Sequence, residues 1–319
     1  MRTVGKVVFL VSLVCLMVVF TQGCSRERKT GLVVGFSQIG AESGWRTAET
    51  GSIKDEARVR RITLKFSDAQ QKQENQIKAI KSFIAQRVNA IILAPVVETG
   101  WEPVLKEAKR AGIPVILVDR GVEVSDKSLY ATLIASDFVE EGRMAARWLA
   151  NRTKGKANIV ELQGTPGAAP AIDRKSGFEE VLKKHPGMKI IKSQTGDFNR
   201  AGGKAVMEAF IKSEGKKIQA VYSHNDDMAL GAVQALEAAG MAPGKDVVVV
   251  SVDAVRGAFE AMIAGKLNAT VECNPLLGPR AFDAVERIVK SESVPKKITV
   301  KDQLFEQATA ASVIKTRKY

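Results

Sequence analysis

The chain reads as an α/β protein built from two Rossmann-like lobes with parallel sheets, joined by three hinge crossings. Three observations point to this. Short apolar runs rich in β-branched residues suit strands covered on both faces, and Val-Val-Val-Val-Ser-Val at 247–252 is the clearest. From residue 30 onward these runs alternate with helical patterns at strand–helix–strand spacing. Nine such strands, with some fifty residues still to follow, are many for one open twisted sheet, so they divide between two.

Strands over 32–36, 62–66, 90–94 and 113–118 alternate with helices over 45–60, 73–86 and 102–111. Pro95 closes the third strand and Gly112 ends the third helix. After a strand over 130–134 the first crossing is expected at 134–137. Helices over 140–151, 171–184, 200–214 and 228–240 then alternate with strands over 159–162, 189–193, 218–223 and 247–252. A helix over 254–263 follows, and later crossings are expected near 273–275 and 294–297. The first lobe is therefore expected to comprise 31–135 and 274–295, and the second 136–273 and 296–319.

The first residues stand apart from both lobes. Arg2 and Lys6 precede a mostly apolar stretch over 7–20, too short to span a bilayer and laid out like a secretory signal over 1–23, with a linker over 24–30. Gly23-Cys24 resembles the end of a bacterial lipobox, although Thr21 and Gln22 depart from it. Either Cys24 carries a lipid and becomes the new N-terminus, or ordinary cleavage falls nearby. Cys273 is alone in the body of the chain, so no disulfide can form within it.

Lys and Arg number 48 against 35 Asp and Glu, a formal charge of +13. The basic residues are mixed with acidic ones along helices, as in Leu105-Lys106-Glu107-Ala108-Lys109-Arg110, without an arginine-rich arm or aromatic–basic interleaving. That is a solvated basic surface, and no nucleic-acid partner is expected.

Polar groups stand where these strands end, and in open parallel sheets ligands bind just beyond the carboxyl ends. Asp119–Arg120 sets a carboxylate beside a guanidinium fork, able to grip adjacent hydroxyls or to serve as a surface or interlobe ion pair. Asn225 and Asp253 end two further strands, where Asp253 can alternatively cap the following helix. Arg174 lies on a predicted helix as a second guanidinium donor or as part of a solvated face. Trp45 and Phe198 sit in polar, Gly-containing loops, where each can stack on a ligand ring or pack at a core or hinge. Trp101 and Trp148 lie in helical contexts and read as packing residues.

Several chemistries are not expected. His185 and His224 lack Cys or His neighbours at ligand spacing, so no metal site is expected. Asp197-Phe198-Asn199-Arg200-Ala201-Gly202 outlines a calcium loop, but Ala201 stands at a ligand position and Arg200 adds positive charge. Gly35 and Gly40 are wrongly spaced for a dinucleotide loop. Nothing marks a glycosidase carboxylate pair, and arginine-paired carboxylates stay ionised. The chain is expected to be no enzyme and to need no cofactor.

Gly35-Phe36-Ser37-Gln38, Ser43-Gly44-Trp45-Arg46, Gln71-Lys72-Gln73-Glu74-Asn75-Gln76, Thr99-Gly100-Trp101-Glu102-Pro103, Ile172-Asp173-Arg174-Lys175, Gly196-Asp197-Phe198 and His224-Asn225-Asp226-Asp227-Met228 together resemble the periplasmic sugar-binding proteins of ABC importers. The resemblance runs from about residue 32 to about 283. It implies two lobes that close over one monosaccharide and then dock on a membrane permease, with galactofuranose the first candidate and galactopyranose, arabinose or ribose behind it. It also places Gln38, Ser43 and Arg46 at or near the pocket, beside Trp45. Relatives often carry an amide on the last interlobe crossing, where this chain has Cys273, a poor hydroxyl partner. The chain is expected to be a monomer in the periplasm or cell envelope, touching the membrane only if Cys24 is the lipidated residue. A repressor-type effector domain shares the fold but needs a helix-turn-helix headpiece where this chain has its secretory segment. A same-fold receptor feeding a chemoreceptor or sensor kinase stays open.

Overall fold

A computed structural model describes residues 31–319, so the secretory segment and Cys24 lie outside the described residues. The chain begins with β1 (Val33–Gln38), α1 (Gly44–Val59), β2 (Thr63–Asp68), α2 (Gln73–Ala85), β3 (Ala90–Leu93), α3 (Glu102–Arg110), β4 (Val115–Val118) and β5 (Thr132–Ser136). It crosses and continues through α4 (Phe138–Arg152), β6 (Lys156–Gln163), α5 (Ala169–Leu182), β7 (Gly187–Thr195), α6 (Arg200–Glu214), β8 (Ala220–Ser223), α7 (Asp226–Ala238), β9 (Val248–Asp253), α8 (Arg256–Ile263) and β10 (Ala269–Glu272). It then returns for α9 (Gly278–Val289) and β11 (Lys297–Val300), and crosses once more to β12 (Leu304–Glu306).

Two six-stranded sheets result, with orders β11-β5-β4-β3-β1-β2 and β12-β10-β9-β8-β6-β7. All pairs are parallel except β10–β12. β3, β4 and β8 are buried along their whole length, as apolar runs covered by helices on both faces must be.

The third crossing corrects the expected boundary. Lys297–Val300 pairs with β5 of the first sheet, Lys297 opposite Leu133, so the chain changes lobes between Val300 and Leu304. The expected crossing near 294–297 missed it because Lys-Ile-Thr-Val is a half-exposed edge strand whose apolar signal is thin beside Lys296 and Lys297.

In each sheet the first strand lies between the second and the third, which places a topological switch point beside β1 in one lobe and β6 in the other. Crevices at the carboxyl ends of such strands are where this architecture takes ligands.

Candidate ligand-binding site

The strand ends of both sheets and the segments beyond them line one small cavity, the kind of crevice in which open parallel sheets take ligands. Its first-lobe wall starts at α1. Ser43 caps that helix, its hydroxyl accepting from the Arg46 amide at 3.1 Å. The helix then projects Trp45 and Arg46 inward. The Trp45 indole N–H donates to the Cys273 carbonyl on the second crossing at 2.5 Å. Trp45 therefore lines the cavity and ties the hinge together.

Arg46 is buried among three carboxylates: Nε donates to Glu42 at 3.0 Å, Nη1 to Glu49, and Nη2 to Asp119 Oδ2 at 2.7 Å. Arg120 follows Asp119 at the end of β4, and its Nη1 donates to the Val96 carbonyl at 2.9 Å. Its Nε stands 3.6 Å from Asp119 and makes no hydrogen bond among the described residues. Glu42 Oε2 is likewise unpartnered. Both side chains line the cavity.

The second-lobe wall depends on a close helix contact. A Cβ on Gly142 would lie 2.1 Å from the Arg174 carbonyl, and one on Gly177 1.9 Å from the Val139 carbonyl. Only glycine lets α4 and α5 approach this closely, and the approach brings Glu141 to Arg174. Arg174 Nε donates to Glu141 at 2.7 Å and Nη1 to the His224 carbonyl at 2.6 Å, while Nη2 stands 3.6 Å from Asp253. Asn225 caps α7, accepting from the Met228 amide at 3.0 Å, and its Nδ2 donates to the Phe198 carbonyl at 2.9 Å. The Phe198 ring lies over Gly164 and faces the Arg120 guanidinium of the other lobe at 5.2 Å.

Asp119, Phe198 and Asp253 carry φ of +61°, +59° and +126°, a region that costs side-chain-bearing residues about 1–3 kcal/mol each. Such strain persists where the surroundings hold a side chain in one place, and here it coincides with the cavity wall. Asp253 does not cap the next helix, because α8 starts at Arg256 after Val255. Asp226 instead braces that loop, accepting from the Val255 amide at 2.9 Å and the Thr270 hydroxyl at 2.8 Å.

Ser43, Trp45, Arg46, Asp119, Arg120, Arg174, Phe198, Asn225 and Asp253 thus meet around one cavity. Gln38 does not, and its expected place at the pocket is corrected. Its amide nitrogen donates to Glu49 and Thr50, both at 3.0 Å, and its carbonyl accepts from Ile39. Facing α1, it spends its polar capacity on holding Glu49. Glu42, Pro170 and Cys273 also line the cavity. Glu42 and Glu49 stand four residues before and three after Arg46, a helical spacing readable in the sequence. Glu141 left no such signal, because its partner lies on another helix.

Burial pushes the Arg120 guanidinium down to about 10, helped by Arg46 and opposed by Asp119, so it stays charged at neutral pH. Burial pushes Asp253 up, with Arg174 opposing. For Glu42 burial pushes upward, but Arg46 and Arg120 outweigh it and hold the carboxyl low. Arg46 bonds to Glu42, Glu49 and Asp119, and Arg174 to Glu141, whose carboxyl burial pushes up to about 8 against the pull of Arg174.

Residues 34–292 match the periplasmic binding protein domain. The chain belongs to the periplasmic binding protein family. Among its relatives, the galactofuranose-binding protein YtfQ of Escherichia coli is 55% identical over 291 residues, covering 90% of this chain and 92% of that protein. A solved arabinose-transporter binding component from Shewanella sp. ANA-3, bound to α- and β-L-arabinofuranose, is 57% identical with a TM-score of 0.88, covering 90% of this chain and 95% of that one. A Mycobacterium smegmatis structure in complex with β-D-fucofuranose is 52% identical with a TM-score of 0.89, covering 91% and 96%. Among the described residues no helix is long and apolar enough to cross a membrane.

Proposed function

We propose that this chain is the solute-binding component of an ABC-type sugar importer, taking a neutral monosaccharide in its five-membered ring form, with galactofuranose the first candidate. The observation that carries the reading is the pair of unpartnered groups in the cavity wall, the donor Arg120 Nε and the acceptor Glu42 Oε2. Buried polar groups need partners, and a hydroxyl, being donor and acceptor at once, suits both. The relatives reported above, named for or bound to galactofuranose, arabinofuranose and fucofuranose, support the ring form.

In this reading Asp119, Asp253 and Asn225 meet hydroxyls, Arg46, Arg120 and Arg174 donate to them, Ser43 closes one side, and Trp45 and Phe198 cover the ring's C–H faces. Sugar binds the closed form better than the open one because only closure lets both walls satisfy it, so binding shifts the population toward closure. A membrane permease then reads the closed spacing of the lobes. Residues 1–23 direct export and are removed, the mature chain works as a periplasmic monomer, and Cys24 is the candidate lipid anchor. Cys273, whose thiol is a poor partner for a hydroxyl, leaves that part of the sugar without a strong contact and widens the tolerated sugars there.

The test is an NMR titration of the mature chain with isotopically labelled D-galactose at anomeric equilibrium. The expected result is selective broadening of the furanose signals. Selective loss of the pyranose signals contradicts the ring form, and unchanged spectra contradict the function.

A further inference from the structure

Outside the cavity, the Asp227 side chain joins the two lobes directly. Helix α1 starts in the first lobe with N–H groups that no helical carbonyl can accept. Ser43 takes that of Arg46. The Gly44 N–H crosses the cleft and donates to Asp227 Oδ2 of the second lobe at 2.8 Å. Asp227 lies in the first turn of α7, buried to 6% exposure, and is not part of the cavity wall. Its other oxygen is held within its own lobe by Arg200, with Nη2 at 2.8 Å and Nε at 3.2 Å. The carboxylate is thus aimed before it meets its partner, and the partner is the positive end of a helix, where a negative charge is favoured. The interlobe bond from the Glu98 amide to the Gly167 carbonyl, 3.0 Å, joins neutral backbone groups and gains no such charge assistance.

We propose that Asp227 is an affinity-setting latch, a residue that touches no sugar yet fixes how tightly sugar is held by stabilising the closed form. The inference rests on the sugar-binding reading above. Closure exchanges hydration of the Gly44 N–H and the Asp227 carboxylate for one charge-assisted bond across the cleft. When only a fraction of the ligand-free protein is closed, apparent affinity scales with that fraction. Arg200 restricts the Asp227 rotamer, so less freedom is lost on closure. Because the latch lies outside the cavity, its removal weakens every sugar by the same factor, whereas loss of a wall residue changes the ranking of sugars.

The test measures equilibrium affinity and stopped-flow release of D-galactose and L-arabinose for wild type, Asp227→Ala, Asp227→Asn and Arg200→Ala, with thermal unfolding as a check on folding. Asp227→Ala is expected to weaken both sugars about tenfold, with faster release and an unchanged affinity ratio. Asp227→Asn keeps an acceptor without charge, and Arg200→Ala keeps the carboxylate without its support. Each is expected to fall between wild type and Asp227→Ala, and these two variants decide the matter if Asp227→Ala does not fold. Wild-type affinity and release in all folded variants overturns the latch while leaving the sugar reading intact. A changed ratio between sugars overturns it by making Asp227 a wall residue. Wild type binding neither sugar overturns both.

Discussion

Arg174 Nε donates to Glu141 Oε2 at 2.7 Å where α4 and α5 meet through Gly142 and Gly177, and both side chains are buried. The contact links the stability of the second lobe to its ligand wall. Breaking one side of such a buried pair costs about 3–5 kcal/mol, because the partner left behind stays buried without its bond. Arg174→Ala is expected to lose stability of that order together with most sugar affinity. Adding Glu141→Gln removes the carboxyl left behind and should recover part of the stability but none of the affinity. Urea denaturation and sugar titration of the two variants measure the separation.

Asp119 behaves differently, since Arg46 keeps Glu42 and Glu49 when Asp119 is removed. Asp119→Ala should leave the fold nearly as stable and weaken sugar binding by about 1–3 kcal/mol, the cost of an unpaired buried hydroxyl. Unchanged affinity would remove Asp119 from the site.

Acidification should act through Glu161 and His224. The Gly164 N–H donates to His224 Nδ1 at 3.3 Å, leaving Nε2–H for Glu161 at 3.1 Å, so the ring is held neutral. Burial pushes the imidazole down, with Glu161 partly opposing. For Glu161 burial pushes upward, but the bonds from His224, Ser193 and Lys175 outweigh it and hold the carboxyl well below the usual range. Both groups therefore bind a proton more weakly folded than unfolded, so both give stability that is lost on lowering the pH. The His224 share declines below about pH 6.5 and the Glu161 share below about pH 4.3. Thermal unfolding across this range should show His224→Gln with a shallower slope than wild type between those values. Equal slopes would assign the acid sensitivity elsewhere.

Cys273 reports closure. Its buried thiol lines the cavity beside the second crossing, 3.6 Å from the Ser136 hydroxyl, and burial pushes its ionisation well above the usual thiol value. Alkylation by neutral iodoacetamide, followed by mass spectrometry, should be slow and should become at least several-fold slower at saturating sugar. A rate indifferent to sugar would show that closure does not govern access to this wall.

The lobes were legible because fully buried parallel strands must be written as apolar runs, and β3, β4 and β8 are. β11 was assigned to the wrong lobe because an edge strand with alternating Lys-Ile-Thr-Val lacks that run. At the site, Asp119, Asn225 and Asp253 were readable as polar residues at strand ends, where the sheet alone sets direction. Gln38 also stands at a strand end but turns toward α1, which spacing along one strand cannot reveal. The bond of Glu141 to Arg174 and that of Asp227 to Gly44 join helices or lobes distant in sequence, which no local pattern carries.

The most direct measurement is isothermal titration calorimetry of the mature protein against a panel of neutral monosaccharides and their acidic counterparts. Saturable one-to-one heat is expected from galactose or arabinose, whose solutions contain furanose forms, and none from galacturonate, because the buried carboxyls of Glu42, Asp119 and Asp253 share the wall with the arginines and leave no site for a further carboxylate. Absence of heat from every neutral sugar, or tighter binding of the acid, would contradict the account.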